Sequence, residues 1–202
     1  MRYLSSVITL AVALAVPLLF GCAGNQSTME YYQLAPTELQ VAYNVEKMPD
    51  LALGVGPITV PEILKRQEIV VRGKGNQYLL DDHHRWAGLL DKDLTMVLIE
   101  NLSNQLGTDQ VVRFPWGSYF NPEYRVFLDV LDLTGTLGGQ VELRASWAII
   151  DQSSEKIVVQ KISGYELQAG GNSYNALVQA KNDLIALLSL DISSSLRDLE
   201  KQ

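Results

Sequence analysis

Two hydrophobic periods alternate along this chain, and the change from one to the other predicts most of its elements. In the stretch Gln140 to Ile150, Val141, Leu143, Ala145, Trp147 and Ile149 alternate with Glu142, Arg144 and Ser146. That period of two puts one face in a core and leaves the other wet, the mark of a strand. Tyr124 to Leu133 precedes it across the glycine-rich turn Thr134 to Gly139, and Ile157 to Leu167 returns after Ser153-Ser154. From Ser173 onward Tyr174, Leu177, Val178, Leu184, Ile185, Leu188, Ile192, Leu196 and Leu199 recur every three or four residues, which predicts a long terminal helix with one apolar stripe. An earlier stripe, Trp86, Leu90, Leu94, Val97, Leu98, Leu102 and Leu106, predicts a second helix, capped by Asp81 or Asp82 and stopped by Gly107. Shorter strands are expected at Tyr31-Tyr32-Gln33-Leu34, at Leu51 to Val55 ending on the Gly56-Pro57 turn, and at Gln110 to Phe114 ahead of Pro115. Glu68 to Arg72 and Gln77 to Leu80 read as a hairpin around Gly73-Lys74-Gly75-Asn76. The pattern predicts an α/β fold: a single-domain sandwich of a mixed, mostly antiparallel sheet with two long helices.

Ahead of this domain runs a different pattern. Val7 to Phe20 is apolar except for Thr9, follows Arg2 and is closed by Gly21. A helix of that length reaches ~21 Å, short of the ~30 Å hydrocarbon core, so it reads as a secretory signal rather than a membrane span. Leu19-Phe20-Gly21-Cys22 resembles a bacterial lipobox, and Cys22 is the only cysteine of the chain. The resemblance implies cleavage before Cys22 and a diacylglycerol on its thiol. The division expected is residues 1–21 as lipoprotein signal peptide, 22–29 as lipidated tether and 30–202 as the domain. The residues after Cys22 are small and polar, as a flexible tether requires. In Gram-negative lipoproteins an Asp directly after the lipidated cysteine commonly retains the protein in the inner membrane. Ala23 at that position implies export to the periplasmic face of the outer membrane.

Composition narrows the function. The formal net charge is −7 without a basic run, which argues against nucleic acid as a partner. With Cys22 acylated no thiol remains for a disulfide, so the core alone must hold the fold. Asp81-Asp82-His83-His84 has the composition of a metal site, but adjacent residues diverge and no other histidine exists to complete one. The histidines are therefore read as solvated imidazoles at a helix cap. Gly73-Lys74-Gly75 lacks the length of a phosphate loop, Gly54-Val55-Gly56 runs into proline rather than a helix, and Trp116-Gly117-Ser118-Tyr119 lacks the second glycine of a nucleophile elbow. No catalytic constellation emerges, and the pattern requires no metal or cofactor. Pro115, Trp116, Tyr119 and Phe120 crowd one loop; Trp116 and Tyr119 are the candidate partner-binding residues, with closure of the core as the competing role for Trp116. Tyr31 and Tyr32 are expected to pack inward from an edge strand.

Five pieces of the chain together resemble the PqiC-type ABC transport auxiliary lipoproteins. They are Tyr31-Tyr32-Gln33-Leu34; Val60-Pro61 through Leu64, Arg66, Ile69 and Val70; Arg85-Trp86-Ala87 opening the first helix; Phe114-Pro115-Trp116; and Gly139-Gln140-Val141 with Leu143, Ala145 and Trp147. Gly88-Leu89 departs from the family's acidic residue and proline after the tryptophan. The resemblance implies a fold similar to the N-terminal domain of TolB-like proteins. It further implies a non-enzymatic outer-membrane lipoprotein serving an MCE-domain transport protein and its membrane permease, with a homo-oligomer as a possible assembly. A periplasmic carrier that binds an acyl chain itself is the alternative; it needs a continuous apolar cavity of several hundred Å³.

Overall fold

The computed structural model describes residues 28–37 and 46–201. Strand β1 (Glu30–Tyr32) is followed by β2 (Leu53–Thr59), a 3-10 turn at Glu62–Lys65, the hairpin strands β3 (Val71–Arg72) and β4 (Tyr78–Leu79), and β5 (His84–Trp86). Helix α1 (Leu90–Leu106) leads to β6 (Val111–Arg113), then to the long strands β7 (Tyr124–Gly135), β8 (Gln140–Asp151) and β9 (Lys156–Gln168), and finally to α2 (Tyr174–Leu199). The central sheet has the order β6-β2-β7-β8-β9. Its two long ladders, β7 with β8 and β8 with β9, are antiparallel; β2 runs parallel to both β6 and β7. The result is the mixed, mostly antiparallel sheet with two long helices that the pattern predicts.

The inward faces of the long strands and the helix stripes meet in one core. Val126, Leu128, Leu143, Ala145 and Trp147 have no accessible surface, and neither have Leu94, Leu98 and Leu102 of α1 or Leu184, Leu188 and Ile192 of α2. Helix α1 lies over β2 and β6, α2 lies over β8 and β9, and the helices pack on each other. The alternation along β8 therefore sends every second residue away from the helices, onto a face that no helix covers. Gly107 ends α1 at φ 72°, a left-handed conformation that favours glycine, and its N–H donates to the Ser103 carbonyl at 2.7 Å. Ser173 caps α2 by accepting the Ala176 N–H at 3.2 Å.

Four local expectations are corrected. Asp81 and Asp82 do not cap a helix: α1 begins at Leu90 behind Leu89, without a side-chain cap, and Asp81 Oδ1 instead accepts the His83 N–H at 2.9 Å. His84-Arg85-Trp86 pairs parallel with β1 rather than opening the helix. The Trp86–Leu90 spacing fits a helix, yet β1 offers an open ladder and the Trp86 N–H finds the Gln67 carbonyl at 2.7 Å. Backbone pairing outweighs the weak helical preference of a stretch that includes Gly88. Strand β2 does not end at Gly56-Pro57 but continues to Thr59 through a register shift between Val55 and Ile58. Proline fits there because β6 pairs only as far as Val55, leaving no neighbour on that side for the missing N–H. Tyr31 and Tyr32 cannot both face inward, since successive strand residues alternate; Tyr31 is exposed and Tyr32 packs against the core.

Candidate functional site

The helix-free face of the sheet is where the loop between β6 and β7 arrives. Phe114 closes β6 by donating its N–H to the Val55 carbonyl at 2.8 Å, and the Phe114-Pro115 bond is cis. The chain then lays the Trp116 ring directly on Gly54 of β2. A Cβ built on Gly54 would stand 2.5 Å from Trp116 Cζ3, so only glycine leaves room. Gly54 pairs with Arg125, whose neighbours in β7, Tyr124 and Val126, turn toward the helices; Trp116 is thus seated on the opposite face. Phe114 and Phe120 meet it edge-on, with ring centroids 5.4 and 6.3 Å away. Tyr119 stands out from this cluster at 86% exposure. The two candidate residues therefore differ: Trp116 is half-buried as the anchor of an aromatic rim, and Tyr119 is its free tip. The structure brings them to one edge of the face. Cys22 lies outside the described residues.

The histidine pair is less solvated than its sequence context suggests. His84 stacks on Tyr174 with centroids 3.8 Å apart, and its Nδ1 lies 3.0 Å from the Tyr32 hydroxyl. Glu30 Oε2 and Asp81 Oδ2 approach its two ring nitrogens at 3.6 and 3.7 Å. Burial, then the Glu30 carboxylate, push the Tyr32 hydroxyl up to about 12. The cluster joins β1, β5 and the start of α2, holding the first strand of the domain at that end. Among the described residues no group of three His, Cys, Asp or Glu side chains is placed to hold a metal ion.

Several buried polar groups had no signal in the sequence. Lys181 sits on the stripe side of α2, fully enclosed; its ammonium donates to the Leu133 carbonyl at 2.9 Å and lies 5.6 Å from the Trp86 ring centre. Burial pulls its pKa down to about 8, opposed by the charge of Asp132. Asp191 of α2 gathers three side chains from β9: it accepts from Ser163 at 2.8 Å, Tyr165 at 2.9 Å and Lys161 at 3.1 Å. Ser163 in turn accepts the Trp147 indole N–H at 3.0 Å. Burial and the Asp191 carboxylate push Tyr165 up to about 12. This network ties the edge strand to the helix, and its serine is committed on both sides. Arg197 of α2 donates to the Glu46 and Gln105 carbonyls at 2.9 and 2.8 Å, fastening the chain after residue 45 to both helices.

Two recesses open at the end of the sheet away from β1, of about 320 and 310 Å³. Glu46, Lys47, Asp50, Arg197 and Glu200 line the first; Asn121, Glu123, Asp151 and Gln152 line the second. Linings this polar suit water better than an acyl chain. No helix among the described residues is long and apolar enough to cross a membrane.

The fold is thus a two-layer α/β module with one sheet face that the helices leave open and an aromatic rim at its edge. The model of the ABC-type transport auxiliary lipoprotein component family matches residues 32–193, and the chain belongs to that family. It is 26% identical over 159 residues to the intermembrane transport lipoprotein PqiC of Escherichia coli K12, an alignment covering 79% of this chain and 83% of that protein. The Shigella flexneri protein of the same name matches to the same extent. Among solved structures, an uncharacterized protein superposes with a TM-score of 0.67 at 24% identity, over 84% of this chain and 99% of the other. A protein from Xanthomonas campestris superposes with a TM-score of 0.64 at 12% identity, over 86% and 99%. At such identities these two speak for the fold alone.

Proposed function

We propose that this chain is a non-enzymatic lipoprotein, acylated on Cys22 and held at the periplasmic face of the outer membrane. There its domain docks an MCE-domain protein of an intermembrane lipid transport system, whose permease lies in the inner membrane. The observation that carries the reading is the aromatic rim: Trp116 anchored on Gly54 with Tyr119 held almost wholly in solvent, on the sheet face that the helices leave open. Exposed aromatics backed by a rigid sheet are what an interface core uses, since they add contact area at little entropic cost. Family membership supplies the transport context, and the name of the relatives in Escherichia coli and Shigella supplies the intermembrane setting. A homo-oligomer around the conduit would multiply a weak contact into a stable one. The polar recesses give the acyl-carrier reading no support.

The test is co-purification of the full chain with an MCE-domain protein and its permease, from membranes of the native cell solubilised in mild detergent. Wild type retains them, and Tyr119→Ala and Trp116→Ala each reduce the yield. A wild-type preparation that never retains an MCE-domain protein but carries one phospholipid per chain would overturn the adaptor in favour of the carrier.

A further inference from the structure

The first strand fixes the end at which the chain enters the domain. The Glu30 N–H donates to the His83 carbonyl at 2.7 Å, and the Tyr32 ring lies 6.2 Å from that of Tyr174, the first residue of α2. From there the chain follows α2 downward: the Ala35 N–H donates to Asn182 Oδ1 at 3.1 Å, and the Glu46 carbonyl accepts from Arg197. Thr28 and Met29 therefore stand at the end of the domain where α2 begins. The turn between β7 and β8 lies at the same end, since Gln168, the last residue of β9, pairs with Gln140. The β3–β4 hairpin is fixed there too, by Arg72 Nη2 donating to Thr134 Oγ1 at 2.8 Å. Trp116 sits on Gly54, level with Arg125, nine positions back along β7 from Thr134. Hairpin and aromatic rim are thus roughly 30 Å apart.

Large apolar side chains gather in solvent at this entry end. Met29 and Tyr31 share one side of β1, Tyr31 at 62% exposure with its hydroxyl 3.7 Å from the Met29 sulfur. Tyr78 and Leu79 are successive strand residues that turn to opposite sides, yet both are exposed. Leu80 is exposed as well, and three residues of chain keep it within ~11 Å of His83, where β1 is held. A cluster of this kind marks a contact with a partner or a membrane. Glu30, Asp81 and Asp82 border it, against Arg85 and the hairpin-turn residue Lys74, so charge gives an anionic surface no advantage here.

Chain length selects the occupant. Six residue steps separate Cys22 from Thr28, at most ~21 Å of chain. With Cys22 acylated, the entry end stays within that distance of the bilayer. The gap is too narrow for a folded domain, since even 100 residues have a radius of gyration of ~13 Å. We infer that this end rests on the bilayer itself, with Met29, Tyr31, Tyr78, Leu79 and Leu80 at the boundary between neutral headgroups and acyl chains. The inference rests on the acylation of Cys22 and gives the adaptor an orientation, with the aromatic rim roughly 30 Å out in the periplasm. Tyrosine suits that depth, because its ring is apolar and its hydroxyl reaches water. The acyl chains attach the domain; these side chains orient it.

The test uses the full acylated chain in vesicles of phosphatidylcholine and phosphatidylethanolamine, doped with a lipid that carries a nitroxide high on its acyl chain. An environment-sensitive fluorophore is placed on Leu79→Cys, or on Tyr119→Cys as the distal control; Cys22, its thiol consumed by acylation, takes no label. The nitroxide is expected to quench the Leu79 label about threefold or more and to leave the Tyr119 label untouched, as burial at the interface of one end alone requires. Tyr78→Glu together with Leu80→Glu lifts the hairpin and removes the quenching. Both positions are exposed, so vesicle retention and the melting curve stay unchanged. Adding phosphatidylglycerol or raising the salt leaves the quenching in place. Where the Leu79 label disturbs melting, Tyr31→Cys supplies the same reading. A label left unquenched on vesicle-bound protein overturns the contact and leaves the anchor standing; one shielded only as protein concentration rises gives the patch to a second copy instead. Equal quenching of the Leu79 and Tyr119 labels overturns the orientation, and quenching that vanishes in salt overturns the apolar contact. Vesicles that do not retain the wild type overturn the acyl anchor and this contact with it.

Discussion

Gly54 owes its place to a neighbour 62 positions further along the chain: the Trp116 ring occupies the space a side chain would need. Gly54→Ala is expected to push the indole off the sheet, shift tryptophan emission to the red and cost about 1–3 kcal/mol, as overpacking does. Trp116→Phe, which supplies the baseline without that indole, should leave the remaining emission insensitive to Gly54→Ala; an emission shift that persists there would place the ring elsewhere. Lys181 sets a second residue-level expectation. Its folded pKa of about 8 lies below the ordinary value of 10.5, so between those two pH values the unfolded chain holds the extra proton. Stability from this group therefore rises with pH from about 8 toward 10.5, and the full burden, about 3 kcal/mol, is present below 8. Tyr32 and Tyr165, held up to about 12, pull stability down above pH 10, so pH 7 to 9.5 is the window to measure. Lys181→Met removes the buried charge but also the donor to the Leu133 carbonyl, a loss of about 1–3 kcal/mol. Near-neutral stability at pH 7, without the alkaline rise, is the expected outcome in urea titrations. A variant with the wild-type slope would show that the ammonium is not the group responsible.

At the scale of elements, the two helices owe their positions to burial more than to local preference. Leu94 of α1 and Leu188 of α2 have no accessible surface, and truncating either to alanine should cost ~2–5 kcal/mol in chemical denaturation. A silent substitution at either site would mean that the helix face is misassigned. The long strands and the terminal helix were legible because their periods persist over eleven or more residues and their ends carry turn or cap residues. The segment from Asp81 to Leu89 was not. A helical spacing from Trp86 to Leu90 and a strand partner in β1 compete there, and the partner lies about fifty residues away in sequence. Pattern reading cannot see that partner. The same holds for Pro57, which reads as a strand end until the short reach of β6 is known.

For the whole molecule, the decisive expectation concerns the segment before the domain. Cys22 is the only thiol, and its acylation would be the sole attachment to a bilayer beyond what a partner provides. Cys22→Ser is expected to move the protein from the membrane fraction to the soluble periplasm with an unchanged melting curve, because the helix stripes and strand faces from Leu34 to Leu196 supply an apolar core. Mass spectrometry of wild-type membranes that finds Cys22 unmodified would overturn the assignment. The geometry of the candidate surface was partly legible at this scale: the crowding of Pro115, Trp116, Tyr119 and Phe120 drew attention to the loop that the structure lays on the helix-free sheet face. What it could not tell was the division of labour, with Trp116 as anchor and Tyr119 as free tip, since that depends on Gly54 lying opposite.

Local periodicity, caps and turn residues sufficed to determine the class of fold, the order of its principal elements and which side of each long strand is buried, because each follows from neighbours within a few residues. The tertiary structure decided what depends on distant partners: the pairing of β1 with β5, the passage of β2 through Gly56-Pro57, the enclosure of Lys181 beneath Trp86, and the Asp191 network that fastens β9. It alone showed that both helices take the same face of the sheet. That single choice turns Arg144 and Ile162 to solvent, because the side a strand turns to water is fixed by the layer packed against its other side.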